Sequence, residues 1–398
     1  MIAEKAAVLT KVDSYRDEIT TFISDLVAIP TENPPGVFYA ECVGLIGQEL
    51  RRLDIEHRII EAPGARASIV GGHGAGDRTL YFHGHYDVVP AQRRDQFEPR
   101  LEHGRLYGRG SSDMKSGLAA MIYAIRALKE LDVKLEGRIG LCVVPDEETG
   151  GVGGSGHLSK IGVLGERGIG MLTPEPTSGV VWNANRGAIT MRVTVKGKPA
   201  HVGLQHQGIN AFDRMLVVAA ALRELKAEVE QRETSFNLTP AAARRSILMM
   251  GGEVHGGTNF NLVPAECAFT VDRRINPEED LDAEKARLVS VLERLMGEGI
   301  SLDYEILQEG SSAGTPDDDP VARALADAVE AVTGSRPAFE MCPGLLETRF
   351  YAQRGIPAFA YGPGILEVSH GPNECVVMDA VLASTAIYAI TAARLLSK

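Results

Sequence analysis

The chain has 398 residues, 44% of them apolar and 24% charged, a balance that excludes a disordered protein and a length that allows two or three domains. Acidic residues outnumber basic ones, 53 to 41, and the formal net charge of -12 argues against a polyanionic partner such as nucleic acid. Five scattered cysteines without a C-x-x-C pair, no apolar run approaching a membrane span and no signal-peptide core at the start lead to the expectation of a cytoplasmic protein with reduced thiols and no membrane partner.

Apolar residues at helical spacing predict a helix over 15–29, ended by an extended turn over 30–36, and a second helix over 39–53. RTLYFHGHYDVVP (78–90) then reads as a buried strand running into His83, His85 and Asp87. GRGSSDMKSG (108–117) is a glycine-rich turn before a helix over 118–131, and it holds Asp113 beside the helix N-terminus, where the dipole favours its charge. Residues 141–144 read as a strand covered on both faces; Pro145 ends its ladder, and Asp146, Glu147 and Glu148 follow. Glu175 ends another short apolar run in GIGMLTPEPTSG, and a buried strand within 355–364 precedes His370 of SHGPNE.

Between 187 and 308 the pattern changes. Ile189, Met191, Val193 and Val195 alternate with Thr190, Arg192, Thr194 and Lys196, as in a half-exposed antiparallel strand. A helix follows with Phe212, Met215, Leu216, Ala219 and Leu222 on one face, then strands at 246–250 and 267–271. A helix carrying Leu288, Val291, Leu292 and Leu295 precedes a strand in which Leu302, Tyr304 and Ile306 alternate with acids. This β-α-β-β-α-β order is the split βαβ sandwich. The expected architecture is therefore an α/β domain with a mainly parallel sheet, made of 1–186 and 309–398, with an α+β lid or dimerisation domain, 187–308, inserted into it. A free sheet face or edge strand on the insertion suits a homodimer.

Open α/β sheets bind ligands at the carboxyl ends of their strands. The groups placed there are His85, Asp87, Asp113, Glu147, Glu148, Glu175 and His370, nitrogen and oxygen donors that suit an open catalytic metal site rather than a cysteine-rich structural one. Two metals need about three protein ligands each with one carboxylate shared, which leaves groups over for orienting and base duties. Neighbouring side chains on an extended segment diverge, so one of Glu147 and Glu148 can ligate while the other faces the activated water. Asp87, two residues after His85, can accept the second imidazole N–H. His83 shares that parity and is an alternative ligand, but a histidine there is more often a core or rim residue; His103 and His157 read as surface residues.

HGHYDVVP, GRGSSDMKSG, PDEETGG, PEPT and SHGPNE, in this order, resemble the motifs of the dinuclear zinc deacylase and carboxypeptidase family that includes acetylornithine deacetylase, succinyl-diaminopimelate desuccinylase, aminoacylase and the glutamate carboxypeptidases. The likeness covers nearly the whole chain, the insertion included. It implies two divalent ions, zinc first, with manganese or cobalt as substitutes. One is held by His85, Asp113 and Glu175, the other by Asp113, Glu148 and His370, with Glu147 as general base and a cis peptide between Asp113 and Met114. The implied reaction is amide hydrolysis, in which Glu147 takes a proton from water and returns it to the leaving amine. His201 of GKPAHVG matches a family histidine that reaches into the partner's active site to meet the oxyanion, although Val202 replaces the usual small polar residue after it. Asn261 of NLVP and Arg274 of DRRINP match positions that grip a substrate carboxylate, and Arg186 is open to that role or to one as a surface arginine.

One departure bears on specificity. Where the deacetylases and desuccinylases carry Gly-Gly-Thr-Asp, this chain has Gly344-Leu345-Leu346-Glu347, which implies a more apolar pocket wall and puts both biosynthetic substrates in doubt. The expected activity is cleavage of a small N-acyl amino acid or related amide, with a dipeptidase or carboxypeptidase as the near alternative. The alternative of another class is a non-catalytic, metal-stabilised binding protein, which would have no need of Glu147.

Overall fold

The computed structural model describes residues 2–64 and 66–397. The chain divides into two compact units, one formed by Met1–Asn183, Thr315–Glu340 and Glu347–Lys398, the other by Ala184–Gly314 with Met341–Leu346.

The first unit is built on a sheet whose strands lie in the order Glu56–Ala62, Arg66–Gly74, Arg138–Val144, Thr79–His85, Gly168–Thr173, Ala358–Ala360 and Val181–Asn185. The strands from Arg138–Val144 to Ala358–Ala360 are mutually parallel, and antiparallel neighbours flank them. Side chains alternate along these strands, so both faces are buried. Leu80, Phe82, Ile139, Leu141 and Val143 join a core with the helices Arg16–Ala28, Tyr39–Arg52, Lys115–Glu130 and Pro320–Thr333. Tyr81, Cys142 and Val144 face a smaller cluster with Leu158, Leu164 and Tyr351. In open sheets of this kind ligands bind at the carboxyl ends of the parallel strands.

Two helices differ from the sequence reading. Met378–Leu396 is long and apolar enough by composition to cross a membrane, contrary to the expectation that no run approaches that length, yet most of it is buried in the core of this unit. A helix packed on several sides has no need of a polar stripe. The helix Ile2–Asp13 was not expected; only Val8 and Val12 are buried along its described side chains, too sparse a pattern to announce it.

The second unit has the expected order: Gly187–Lys196, Ala211–Val229, Ile247–Gly256, Glu266–Ile275, Leu281–Gly297 and Leu302–Gly310. Its strands are antiparallel, with Ile247–Gly256 and Leu302–Gly310 at the edges. Ile189, Met191, Val193 and Val195 are buried with Val218, Leu222 and Leu292, while Arg192 on the opposite face pairs with Glu253 and Glu305. The face of the first helix needs correction. Met215, Val218, Leu222, Leu225 and Val229 form its buried stripe, and Phe212 and Leu216 are 46% and 52% exposed because they lie a step round the helix from it.

Candidate active site

Three adjacent parallel strands end in the candidate groups: Thr79–His85 in His85, Arg138–Val144 just before Glu147 and Glu148, and Gly168–Thr173 just before Glu175. His85 is buried, and its Nδ1 lies 3.0 Å from the carbonyl oxygen of Asp87 and 3.3 Å from its Oδ1. Donation from Nδ1 leaves the lone pair on Nε2, the tautomer a metal ligand needs. Asp87 does more than orient the ring: its carboxylate accepts the N–H groups of Glu147 and Glu148, both at 3.2 Å, and the Asn33 amide at 2.8 Å. The expected extended turn 30–36 thereby docks beside the acidic turn.

Asp146 has φ 64°, and its carboxylate accepts the N–H groups of Gly153 and Gly154 at 2.7 and 2.8 Å; burial pushes its carboxyl up to about 6. It therefore organises the turn that presents its two neighbours. Glu148 accepts the Val89 N–H at 3.2 Å and lies 3.5 Å from His370 Nε2. The Glu147 carboxylate is half-buried and has no hydrogen bond among the described residues. Burial, reinforced by the charges of Glu175 and Glu148, raises its affinity for a proton well above that of an ordinary carboxylate. A free carboxylate with a raised pKa suits general-base work.

Asp113 sits before the helix Lys115–Glu130, and the Asp113–Met114 peptide is cis, as the resemblance implies. Its Oδ1 is 3.4 Å from His85 Nε2, and its Oδ2 is 3.1 Å from His370 Nε2. Burial opposes its ionisation, but the two imidazoles outweigh burial and hold its carboxyl well below the usual range. The same contacts, with Asp113 first and Glu148 second, push His370 up to about 10. Burial, with the charge of Asp113 added, pushes Glu175 up to about 8.

The loop carrying Asp113 is held by residues the sequence reading passes over. Glu374 Oε1 accepts the N–H groups of Gly110, Ser112 and Asp113, each at 3.0 Å, and its other oxygen pairs with the buried Arg109. Arg109 Nη2 also donates to the His370 carbonyl at 3.1 Å, so one ion pair ties the Asp113 loop to the His370 loop. Lys115 Nζ donates to the carbonyls of Leu26 and Ile29, both at 2.8 Å, at the end of the helix Arg16–Ala28. Arg109 and Glu374 lie inside GRGSSDMKSG and SHGPNE, but a charge in a glycine-rich loop signals no partner on its own. Glu374→Ala leaves the Arg109 guanidinium buried without its carboxylate, with an expected cost of about 3–5 kcal/mol in unfolding free energy, readable by urea denaturation.

The remaining candidates lie in the second unit, in two groups. Arg186 is 1% exposed and donates from Nη2 to the carbonyls of Ala243 and Arg245, the latter at 2.8 Å; it is not a surface arginine, and it lines a cavity of about 340 Å³. Burial, with the neighbouring Arg274 guanidinium adding to it, lowers its pKa. Arg274 is half-buried and pairs with Asp272 at 2.9 Å. His201 is exposed, and its Nδ1 accepts the Gly203 N–H at 3.1 Å. Beside it, the Asn261 carbonyl accepts the Val202 N–H at 2.9 Å. In the departure stretch, Leu346 is buried and Leu345 half-buried.

The first-unit groups fit a metal centre. His85, Asp113 and Glu148 bring one donor atom each to within 4.8 Å of one another. His85 Nε2 and Asp113 Oδ1 are buried without a hydrogen-bond partner among the described residues, a costly arrangement unless a cation lies between them. Asp113, Glu148 and Glu175, with the two imidazoles of His85 and His370, are the oxygen and nitrogen donors that a divalent cation takes.

Residues 81–394 match the model of Peptidase family M20/M25/M40. A succinyl-diaminopimelate desuccinylase of Bordetella parapertussis is 30% identical over 390 residues, 95% of this chain and 98% of that protein. An M20 family metallo-carboxypeptidase from Sulfolobus solfataricus shares the fold with a TM-score of 0.81 at 17% identity, covering 94% of this chain and 98% of that one. A dinuclear metal binding peptidase of the M20 family from Bacillus subtilis shares it with a TM-score of 0.69, also at 17% identity, over 96% of this chain and 99% of that one. The chain belongs to the M20 peptidase family and is a hydrolase.

Proposed function

We propose that this hydrolase cleaves the amide bond of a small N-acyl amino acid or related amide at a centre for two divalent metal ions. The observation that carries the proposal is the two-sided placement of Asp113, with His85 against one carboxylate oxygen and His370 against the other. A carboxylate so placed suits a bridge, with His85 and Glu175 completing one ligand set and Glu148 and His370 the other. Zinc fits these nitrogen and oxygen donors, and manganese and cobalt accept them too. Such a pair, when bound, lowers the pKa of water and polarises a carbonyl. Glu147 accepts the proton of the water that adds to the carbonyl carbon, then delivers it to the amine nitrogen as the C–N bond breaks. Asp87 keeps His85 in its tautomer and holds the backbone of both glutamates.

In this reading Asn261 and Arg274 grip a substrate carboxylate, and Arg186, with Nη2 committed to carbonyls, adds positive charge beside Arg274. Leu345 favours a more apolar substrate than the desuccinylase's name states. Phe212, Leu216 and Val217 on the helix Ala211–Val229, with Met249 and Val254 on the edge strand Ile247–Gly256, are exposed apolar residues that support a homodimer. His201 then serves the partner's site as an oxyanion donor. His201→Ala is expected to lower kcat about 10²-fold with an unchanged dimer in sedimentation; a monomeric wild type, or full activity in the variant, overturns the shared site. The five cysteines are buried and none is in a disulfide among the described residues, which supports a reducing, cytoplasmic setting.

A hydrolysis screen of the metal-loaded protein over N-acyl amino acids, dipeptides and aryl amides tests the proposal. Turnover of one class, lost on chelation and restored by Zn²⁺, is the expected result. Metal binding without hydrolysis of any class would favour the binding-protein alternative.

A further inference from the structure

Behind the acidic turn lies a buried polar network that the mechanism above does not use. His83 occupies the same sheet face as His85, one pleat back, and is fully buried. Its Nε2 lies 2.7 Å from Glu347 Oε2 and 3.0 Å from Ser155 Oγ, and its Nδ1 lies 3.0 Å from the Tyr351 hydroxyl. Glu347 is 1% exposed, and its Oε1 has no hydrogen-bond partner among the described residues. That oxygen packs against Gly151, where an added Cβ would come within 2.6 Å of it. Two residues on, Arg349 Nη2 donates to the Gly150 carbonyl at 2.7 Å. Residues 347–349 therefore brace the acidic turn at two consecutive glycines, and His83, Ser155 and Tyr351 fix the bracing carboxylate.

A buried hydrogen-bonded network contributes little net stability, because its groups exchange bonds to water for bonds to one another; what it supplies here is a fixed geometry. Glu347 is also the last residue of the stretch that departs from Gly-Gly-Thr-Asp, and His83 is the partner that accommodates it. We propose that Glu347 and His83 are positioning residues for the general base, setting through Gly150 and Gly151 the orientation of the turn that carries Glu147 and Glu148. The inference rests on the reading of Glu147 as that base.

Glu347→Gln keeps the shape and removes the charge. It is expected to lower kcat by about 10–100-fold on the best substrate of the screen, with KM, melting temperature and Co²⁺ stoichiometry unchanged, and Glu347→Asp is expected to recover part of the rate. Wild-type kcat in Glu347→Gln, or a fall in kcat matched by an equal loss of Co²⁺ binding, overturns the proposal. Should Glu347→Gln fail to fold, Tyr351→Phe and Ser155→Ala decide, since each removes one hydrogen bond to His83. A lower kcat at unchanged KM and melting temperature in either supports the proposal, and wild-type kcat in both overturns it. A fully active Glu147→Ala overturns this inference and the base assignment together, whereas an inactive Glu147→Ala beside a wild-type Glu347→Gln overturns this inference alone.

Discussion

Glu147→Ala is expected to hydrolyse the best substrate about 10²–10⁴-fold more slowly than wild type while keeping both metal equivalents. The carboxylate is not hydrogen-bonded among the described residues, and burial with the charges of Glu175 and Glu148 outweighs its attraction to His85, so its loss breaks no hydrogen bond and removes a net cost. The fall should appear in kcat with KM little changed, as for a group acting in the transition state. Stability should move the other way. A carboxyl whose pKa is raised by folding costs stability wherever it is ionised in the unfolded chain, and that cost vanishes once both states are protonated. Without metal, the variant is therefore expected to melt above wild type at pH 8, with the difference shrinking as pH falls into the ordinary carboxylate range. A variant that keeps its metals and hydrolyses as well as wild type would show the base assignment to be wrong.

Asp113→Ala is expected to abolish measurable hydrolysis and to weaken both metal positions, by more than the roughly 10–100-fold typical of a residue outside the ligand set. Both imidazoles face this one carboxylate, so in the proposed centre its removal leaves neither ligand set complete. Isothermal titration with Zn²⁺ checks it, and two ions bound at wild-type affinity would rule out the bridge. In wild type the same titration should release protons. Glu175 at about 8 and His370 at about 10 hold protons at neutral pH that a cation must displace, so affinity is expected to rise with pH through that range. Buffers of different ionisation enthalpy report the number released.

The strand-end groups are legible in the sequence because a strand buried on both faces reads as an unbroken apolar run, so the first charges beyond it mark the carboxyl end. Val144 before Pro145 and Thr173 before Pro174 are such points. In the inserted unit a single period-two run, 189–196, decides which face is buried. What escapes depends on partners far along the chain. Arg109 and Glu374 stand 265 residues apart, and neither names the other locally. His83 reads as a core or rim residue, but nothing near it points to Glu347. On the helix Ala211–Val229 two apolar stripes coexist, and periodicity does not say which one meets the sheet. Met378–Leu396 escapes for the opposite reason, since a helix surrounded by core has no polar face to set its period.

The clamp between Arg109 and Glu374 also orders events in time. During synthesis the strands bearing His85, Glu147, Glu148 and Glu175 emerge first, and the inserted unit follows with a core of its own. Only when the C-terminal segment arrives can Glu374 gather the N–H groups of Gly110, Ser112 and Asp113 and bring His370 into place. The Asp113 loop and the His370 loop are therefore fixed to each other only in the finished chain.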